Sequence, residues 1–364
     1  AQMSEMAEKL GKDFIKTENL PVLAWEINGT TDIDTKPSGG DTDPDKPQTP
    51  EDTEKAPEYD SHGNWQDYRA DGFESGDGTE ENPYVIASGE QLAYFAARVN
   101  GGENFAGKYL KLSRNLDITD KLHTPAGTAE NTPFAGNFDG NGYEITLNND
   151  ENSVVGGLFG YTDGAKISML GVSGLAKASE IAGGIAAVTK NTSFENCYSN
   201  VFAQSDSYAG GFIGAAKSGT SVVNCYASGA AAAEKAGTMF GLFANGVGVN
   251  NLFCRIAGNA QPIGENISEN TSAVWGKTSD YMQSDNFTDD LWLIREKTVD
   301  GKTVAAAPVF LIGEKYPVLS GGYTESKILS LKLKAPGKCL AQGAPHIFDV
   351  VIYGKNLAGA QSAA

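Results

Sequence analysis

GLFG at positions 157–160 recurs as GIAA at 184–187, as GFIG at 211–214 and as TMFG at 238–241, each time after 27 residues. A second motif runs beside the first, because Leu170 aligns with Cys197, Cys225 and Cys254 at spacings of 27, 28 and 29 residues. A fixed period of roughly 20–50 residues indicates a solenoid or another array. Each repeat holds two short apolar stretches and no amphipathic helix, which favours an all-β fold, a parallel β-helix with one coil per repeat.

The period predicts which residues stack on consecutive coils. We expect Gly157, Gly184 and Gly211 to form a column, each about 4.8 Å from the next, the spacing of paired strands. The cysteines of the second motif should point into the core as small apolar residues, buried and without disulfides. In-register parallel strands aim their Cβ atoms the same way, which disfavours a disulfide between neighbouring coils.

The segment before the repeats carries the signals of a helix and of short strands. Residues 88–99 (SGEQLAYFAARV) have the spacing of a capping box at Ser88 and Gln91. Leu92, Phe95 and Val99 fall on one face, so we expect this helix to cap the open N-terminal end of the β-helix. Short strands are predicted at 109–112, 116–118, 134–138 and 143–147, with the last two joined by a DGNG turn at 139–142.

Composition sets the boundary between the linker and the β-helix, and it argues against nucleic-acid binding and against a membrane-spanning helix. Residues 30–60 contain ten acidic residues, three basic residues and five prolines, which predicts an extended acidic linker at 29–63 before a β-helix at 64–323. The formal charge of −18 disfavours nucleic acid as a partner. No apolar run approaches the roughly 18 residues of a membrane-spanning helix.

The order of several motifs resembles that of the GLUG-repeat proteins of bacterial surfaces. These are GTEENPYVIASGEQLAYFAARVN (78–100), FAGKYLKL (105–112), NLDI (115–118), FAGNFDGNGYEI (134–145) and GGLFG (156–160), followed by the alternation of AGG(F/I) with NCY(S/A). The resemblance covers most of the chain, from position 65 to position 323, and departs from the pattern at 186–187 and 238–239. It implies a right-handed parallel β-helix and an extracellular or cell-surface location.

The two ends of the chain look like parts of neighbouring domains. LPVL at 20–23 matches YPVL at 316–319, and Phe14 is aligned with Phe287, so residues 1–28 are interpreted as the C-terminal tail of a preceding GLUG-type module. Residues 324–364 alternate apolar and polar side chains. They resemble the first strands of a cohesin-like or immunoglobulin-like sandwich.

Alternation along the NCY motifs selects the candidate binding residues. If the cysteines point inward, Asn196, Tyr198, Asn224 and Tyr226 lie on the opposite, outward face. An exposed tyrosine column could stack on sugar rings or anchor a protein; the alternative is that these rings only pack against the chain.

The sequence offers little catalytic chemistry, so we predict no enzyme, no catalytic residue, no metal site and no cofactor. The repeats hold five acidic residues, Asp163, Glu180, Glu195, Asp206 and Glu234, and none stacks on another one coil away. Asp163 instead aligns with Lys190 and Lys217. The predicted function is therefore a non-enzymatic structural or adhesive module of a secreted or surface protein, with a glycan or a protein of a cell surface as its partner. The alternatives are a carbohydrate-binding module of a larger enzyme and a β-helix polysaccharide lyase or hydrolase.

Overall fold

The computed structural model describes residues 14–15, 22–23, 55–149, 152–256, 260–268, 274–278, 282–283, 296–299, 302–305, 310–311, 316–319, 328–334 and 349–354. The chain divides into two compact units, Ala1–Thr49 and Pro50–Ala364. In the first unit, strands β1 (Phe14–Ile15) and β2 (Val22–Leu23) form an antiparallel pair. Most of the predicted acidic linker lies outside the described residues.

The second unit begins with a short cap. A 3-10 turn (Trp65–Tyr68) precedes strand β3 (Tyr84–Ile86), helix α1 (Gly89–Asn100) and strands β4 (Tyr109–Leu112) and β5 (Leu116–Asp117). The N-cap at Ser88 is confirmed, because the Ser88 hydroxyl accepts from the Gln91 backbone N–H. The Gln91 side chain accepts from the N–H of Ala87, one residue before the position that a capping box requires. The ring of Phe95 packs 5.3 Å from Phe134 and 6.3 Å from Phe159. Helix α1 therefore covers the end of the β-helix core, as predicted.

Short strands then repeat in coils that stack by parallel pairing. The first coil holds β6 (Asn137–Asp139), β7 (Glu144–Asn148), β8 (Val155–Gly156) and β9 (Phe159–Asp163). The second holds β10 (Lys166–Ser168), β11 (Gly171–Lys177), β12 (Ile181–Gly183) and β13 (Ala186–Lys190). The third holds β14 (Ser193–Glu195), β15 (Tyr198–Gln204), β16 (Tyr208–Gly210) and β17 (Ile213–Ala216).

Two further coils continue the stack. The fourth holds β18 (Ser221–Ala227), β19 (Ala230–Ala232), β20 (Lys235–Gly237) and β21 (Phe240–Phe243). The fifth holds β22 (Gly248–Ile256) and β23 (Ile263–Asn266), and β24 (Val274–Thr278) pairs with β22. Every pairing between these coils is parallel, so the predicted parallel β-helix is confirmed.

Alternate side chains of the stacked strands fill a continuous apolar core. Along β4, β6, β10, β14 and β18 the inward positions align in register and are almost fully buried: Leu110, Phe138, Ile167, Phe194 and Val222. Burial of apolar side chains is worth about 1.5–3 kcal/mol for each large residue, so this core is the main stabilising feature of the coils.

The glycine column is predicted correctly except at its first member. Gly183 pairs with Gly210 in strands β12 and β16. Gly184 and Gly211, the next residues, therefore lie beside each other as predicted. Strand β8, however, places Gly156 beside Ala182 and not beside Gly183, and a Cβ placed on Gly157 would lie 2.4 Å from the carbonyl oxygen of Gly183. Gly157 has φ +140°, which glycine adopts without a steric penalty. The first coil is therefore shifted at this corner, and Gly157 lies beside Gly183.

Paired hairpins follow the coils. Strands β25 (Glu296–Val299) and β26 (Lys302–Ala305), β27 (Phe310–Leu311) and β28 (Val318–Leu319), and β29 (Ile328–Lys334) and β30 (Asp349–Gly354) form three antiparallel pairs. The predicted match between the two ends of the chain needs a correction. Phe310 pairs with Leu319 as Phe14 pairs with Leu23, so Phe14 corresponds to Phe310 and not to Phe287.

Candidate functional site

The NCY motifs place small residues inside the coils and aromatic residues outside. Cys197 and Cys225 stack on adjacent coils and are buried and free, and Cys254 is also buried and free, as predicted. Cys254 does not share their column, because it pairs with Ala227 while Leu252 pairs with Cys225. The longer spacing between Cys225 and Cys254 therefore reflects a position further along the strand and not an insertion in a loop.

The tyrosines of the same motifs point outward but are not exposed. Tyr198 and Tyr226 stack with their ring centroids 5.3 Å apart and their planes 7° from parallel. Their relative exposures are only 6% and 0%. The expectation of an exposed tyrosine column is therefore wrong, and these rings offer no open surface for a glycan.

A hairpin from the C-terminal part of the chain covers this stack. Phe310 packs 5.7 Å from the ring of Tyr226 and is buried. The Tyr226 hydroxyl donates a hydrogen bond to the carbonyl oxygen of Pro317, and Leu319 is buried in the same cluster. We call the described segments of this hairpin, residues 310–311 and 316–319, the strap.

The surface beneath the strap is built by the strands themselves. Tyr226 aligns with Tyr198 on one side and with Phe253 on the other, and all three belong to one buried cluster. Desolvation raises the pKa of Tyr226 well above its usual value. We call Tyr198, Tyr226 and Phe253 the platform.

The predicted binding asparagines form a ladder inside a corner of the coils. Asn251 donates to Asn224, and Asn224 donates to Asn196, each at 2.7 Å between amide nitrogen and oxygen. All three have φ between 52° and 56°, a left-handed conformation that asparagine tolerates better than most residues. Asn196 and Asn224 are buried. They therefore shape the turn rather than face a ligand, which corrects the expectation that they lie on the outward face.

An open groove of about 380 Å³ runs across β4, β6, β10 and β14. Outward positions of these strands line it in register, with Lys111 beside Asp139 and Ser168 beside Glu195. Further polar lining comes from Tyr109, Lys166, Glu80, Asn137 and Ser193. The sequence prediction missed this groove because its outward column changes residue type from strand to strand, from Lys111 through Asp139 and Ser168 to Glu195, so no repeated motif marks it.

The groove combines opposite charges with an aromatic hydroxyl. The pKa of Asp139 is raised by desolvation, against the opposing effects of the Asn141 N–H and of Lys111. The Tyr109 hydroxyl donates to Glu80 at 3.3 Å, and the charge of Glu80 raises the pKa of Tyr109. The groove therefore presents both donors and acceptors at the spacing of adjacent strands.

One predicted charge alignment is confirmed elsewhere on the coils. Lys190 pairs in register with Asp163, and their charged groups lie 3.4 Å apart. This pair is partly exposed, and such pairs contribute at most about 1 kcal/mol. Within the described residues, no group of three or more His, Cys, Asp or Glu side chains is arranged to hold a metal ion. No helix among them is long and apolar enough to cross a membrane.

No family model and no curated protein matches the chain. Among solved structures, a "putative immunoglobulin A1 protease" from Bacteroides ovatus is similar at 16% identity and a TM-score of 0.42, over 64% of this chain and 95% of that one.

That similarity corrects one prediction from the sequence. Because the similar protein is described as a protease, the prediction that this chain is not an enzyme is contradicted, and we withdraw it. At this identity and TM-score, the similarity assigns no activity to this chain.

Proposed function

We propose that this chain is a structural and adhesive module of a secreted or cell-surface bacterial protein, and that it binds a glycan in the groove across β4, β6, β10 and β14. The groove carries the proposal. Its polar side chains stand on rigid paired strands, so they are positioned before a ligand arrives, which limits the entropy lost on binding.

The lining fits the chemistry of a sugar chain. Lys111 and Lys166 supply donors, Asp139 and Glu195 supply acceptors, and Tyr109 adds a ring at the edge. Sugars offer closely spaced hydroxyls that both donate and accept, and aromatic side chains pack against their apolar faces. The resemblance to GLUG-repeat surface proteins supports the extracellular location.

A glycan array probed with the labelled chain tests the proposal. We expect binding to a subset of glycans, lost in the variant Lys111→Ala/Lys166→Ala. The matched control, Lys190→Ala/Lys217→Ala, removes two lysines from another side of the coils and should leave binding unchanged. Absence of any binding, or equal loss in both variants, would contradict the groove as the site.

The same experiment distinguishes glycan binding from glycan hydrolysis. Asp139 and Glu195 lie on strands two spacings apart, about 10 Å, and glycoside hydrolysis needs two carboxylates at a defined separation. Each bound glycan should therefore be recovered and analysed by mass spectrometry. Intact glycan supports an adhesive or carbohydrate-binding module, whereas shortened products that depend on Asp139 would make the groove catalytic.

A further inference from the structure

A second copy of the strap sequence lies near the start of the chain. FIKTENLPVL at 14–23 matches FLIGEKYPVL at 310–319 without a gap. Five of the ten positions are identical. The identical residues are Phe, Glu, Pro, Val and Leu at 14, 18, 21, 22 and 23.

The two segments also share their backbone pairing. Phe14 pairs with Leu23 and Ile15 with Val22, both antiparallel. Phe310 pairs with Leu319 and Leu311 with Val318 in the same way. Two short sequences that agree in both residues and register are expected to form the same hairpin.

The shared residues are those that hold the strap on its platform. Phe310 packs on Tyr226, Leu319 is buried with it, and Pro317 accepts the tyrosine hydrogen bond. The corresponding positions are Phe14, Leu23 and Pro21. Tyr316, which packs at the edge of the cluster, is replaced by Leu20, also apolar.

We propose that residues 14–23 are a second strap, which binds the platform of another copy of this chain when that platform is vacated by its own strap. Such a contact is head-to-tail, because the segment that binds and the surface that receives it are different parts of the molecule. Heterologous contacts of this kind generate rings when the geometry closes and open chains of molecules when it does not.

The covalent connection explains why exchange needs a vacated platform. Residues 310–319 belong to the same unit as the platform and reach it at a high effective concentration, typically millimolar for a short tether. A strap from another molecule competes at its own, far lower concentration. Weakening the resident strap should therefore reveal binding by the second one.

The test uses the full chain with the resident strap weakened by Phe310→Ala/Leu319→Ala. A fluorescent peptide of residues 10–27 should bind this variant, and bind the wild-type chain at least tenfold more weakly. The control peptide carries Phe14→Ala and Leu23→Ala and should not bind. Equal binding of both peptides would overturn the proposal, as would no binding to the variant.

Self-association gives an independent readout without peptide. In sedimentation velocity, the variant Phe310→Ala/Leu319→Ala should form dimers and larger species with rising concentration, and adding Phe14→Ala/Leu23→Ala should restore the monomer. Association that persists after the second pair of substitutions would show nonspecific adhesion of the bared rings and overturn the proposal. If the strap variant fails to fold, excess peptide added to the wild-type chain should increase hydroxyl-radical labelling of Phe310, and unchanged labelling would refute exchange.

Discussion

The inward and outward faces of the coils at strands β11, β15, β18 and β22 bury their side chains by different means. The inward column of Leu170, Cys197, Cys225 and Leu252 is covered by the coils that carry it. The outward platform is covered by a strap that begins at Phe310, far from Tyr226 along the chain. The inward column is therefore buried by the repeats themselves, whereas the platform is buried only because the strap, a distant segment of the chain, covers it.

This difference has consequences for stability. A cavity in the inner core affects every coil that stacks on it, because parallel pairing links neighbouring coils continuously. Loss of the strap should instead open one local part of the molecule, since proteins unfold locally where few buried contacts join a segment to the rest.

The largest expected effect is on the inner face. Phe194 is 1% exposed and packs 5.7 Å from the ring of Phe212, so Phe194→Ala should lower the free energy of unfolding by about 3–5 kcal/mol. Urea denaturation measures this change. Ser193→Ala, in the same strand but pointing outward, should change it by less than about 0.5 kcal/mol. Equal effects of the two substitutions would mean that the inward and outward faces are assigned incorrectly.

Acid should destabilise the chain through a buried histidine. His123 is fully buried beside the Leu158 carbonyl oxygen, and desolvation lowers its pKa to about 4. Because the folded-state pKa lies below the unfolded value of about 6.5, the stabilising contribution is present above pH 6.5 and is lost as the pH falls towards 4. The loss approaches about 3 kcal/mol. The variant His123→Gln should lack this part of the pH dependence, and an unchanged profile would contradict the assignment.

The asparagine ladder lies at the corner that separates the two faces. Asn224→Ala removes two hydrogen bonds and places alanine at φ 52°, which should cost about 2 kcal/mol or more in the free energy of unfolding. Asn224→Gly tolerates the backbone and should cost less. The neighbouring exposed Asn250→Ala should have little effect. Equal costs for the alanine and glycine variants would show that the left-handed conformation contributes nothing.

The smallest expected effect is an increase, not a decrease, in the free energy of unfolding. Met169 takes the corner position one coil before Asn196, with φ 51°, which is unfavourable for a side chain that cannot hydrogen-bond to the backbone. Met169→Asn should extend the ladder and raise the free energy of unfolding by up to about 1 kcal/mol. Met169→Ala is the control, and equal results for both variants would exclude a gain from the ladder.

The sequence predicted the features that local patterns encode and missed those that depend on a distant segment of the chain. The repeat period, the N-cap at Ser88 and the inward cysteines all follow from local patterns, and the structure confirms them. The burial of Tyr226 could not follow from alternation, because alternation separates two faces but does not reveal what covers the outer one. The match of Phe14 with Phe310 was visible in the sequence, but the repeated hairpin register identifies it.

Hydroxyl-radical footprinting tests the covered platform most directly. Tyr68 is 54% exposed and serves as an internal reference for labelling of Tyr226, which is measured by mass spectrometry. We predict that Tyr226 is labelled far more slowly than Tyr68 in the wild-type chain and that Phe310→Ala accelerates its labelling while the coils stay folded. Labelling of Tyr226 at the rate of Tyr68 in the wild-type chain would contradict the buried platform and the strap that covers it.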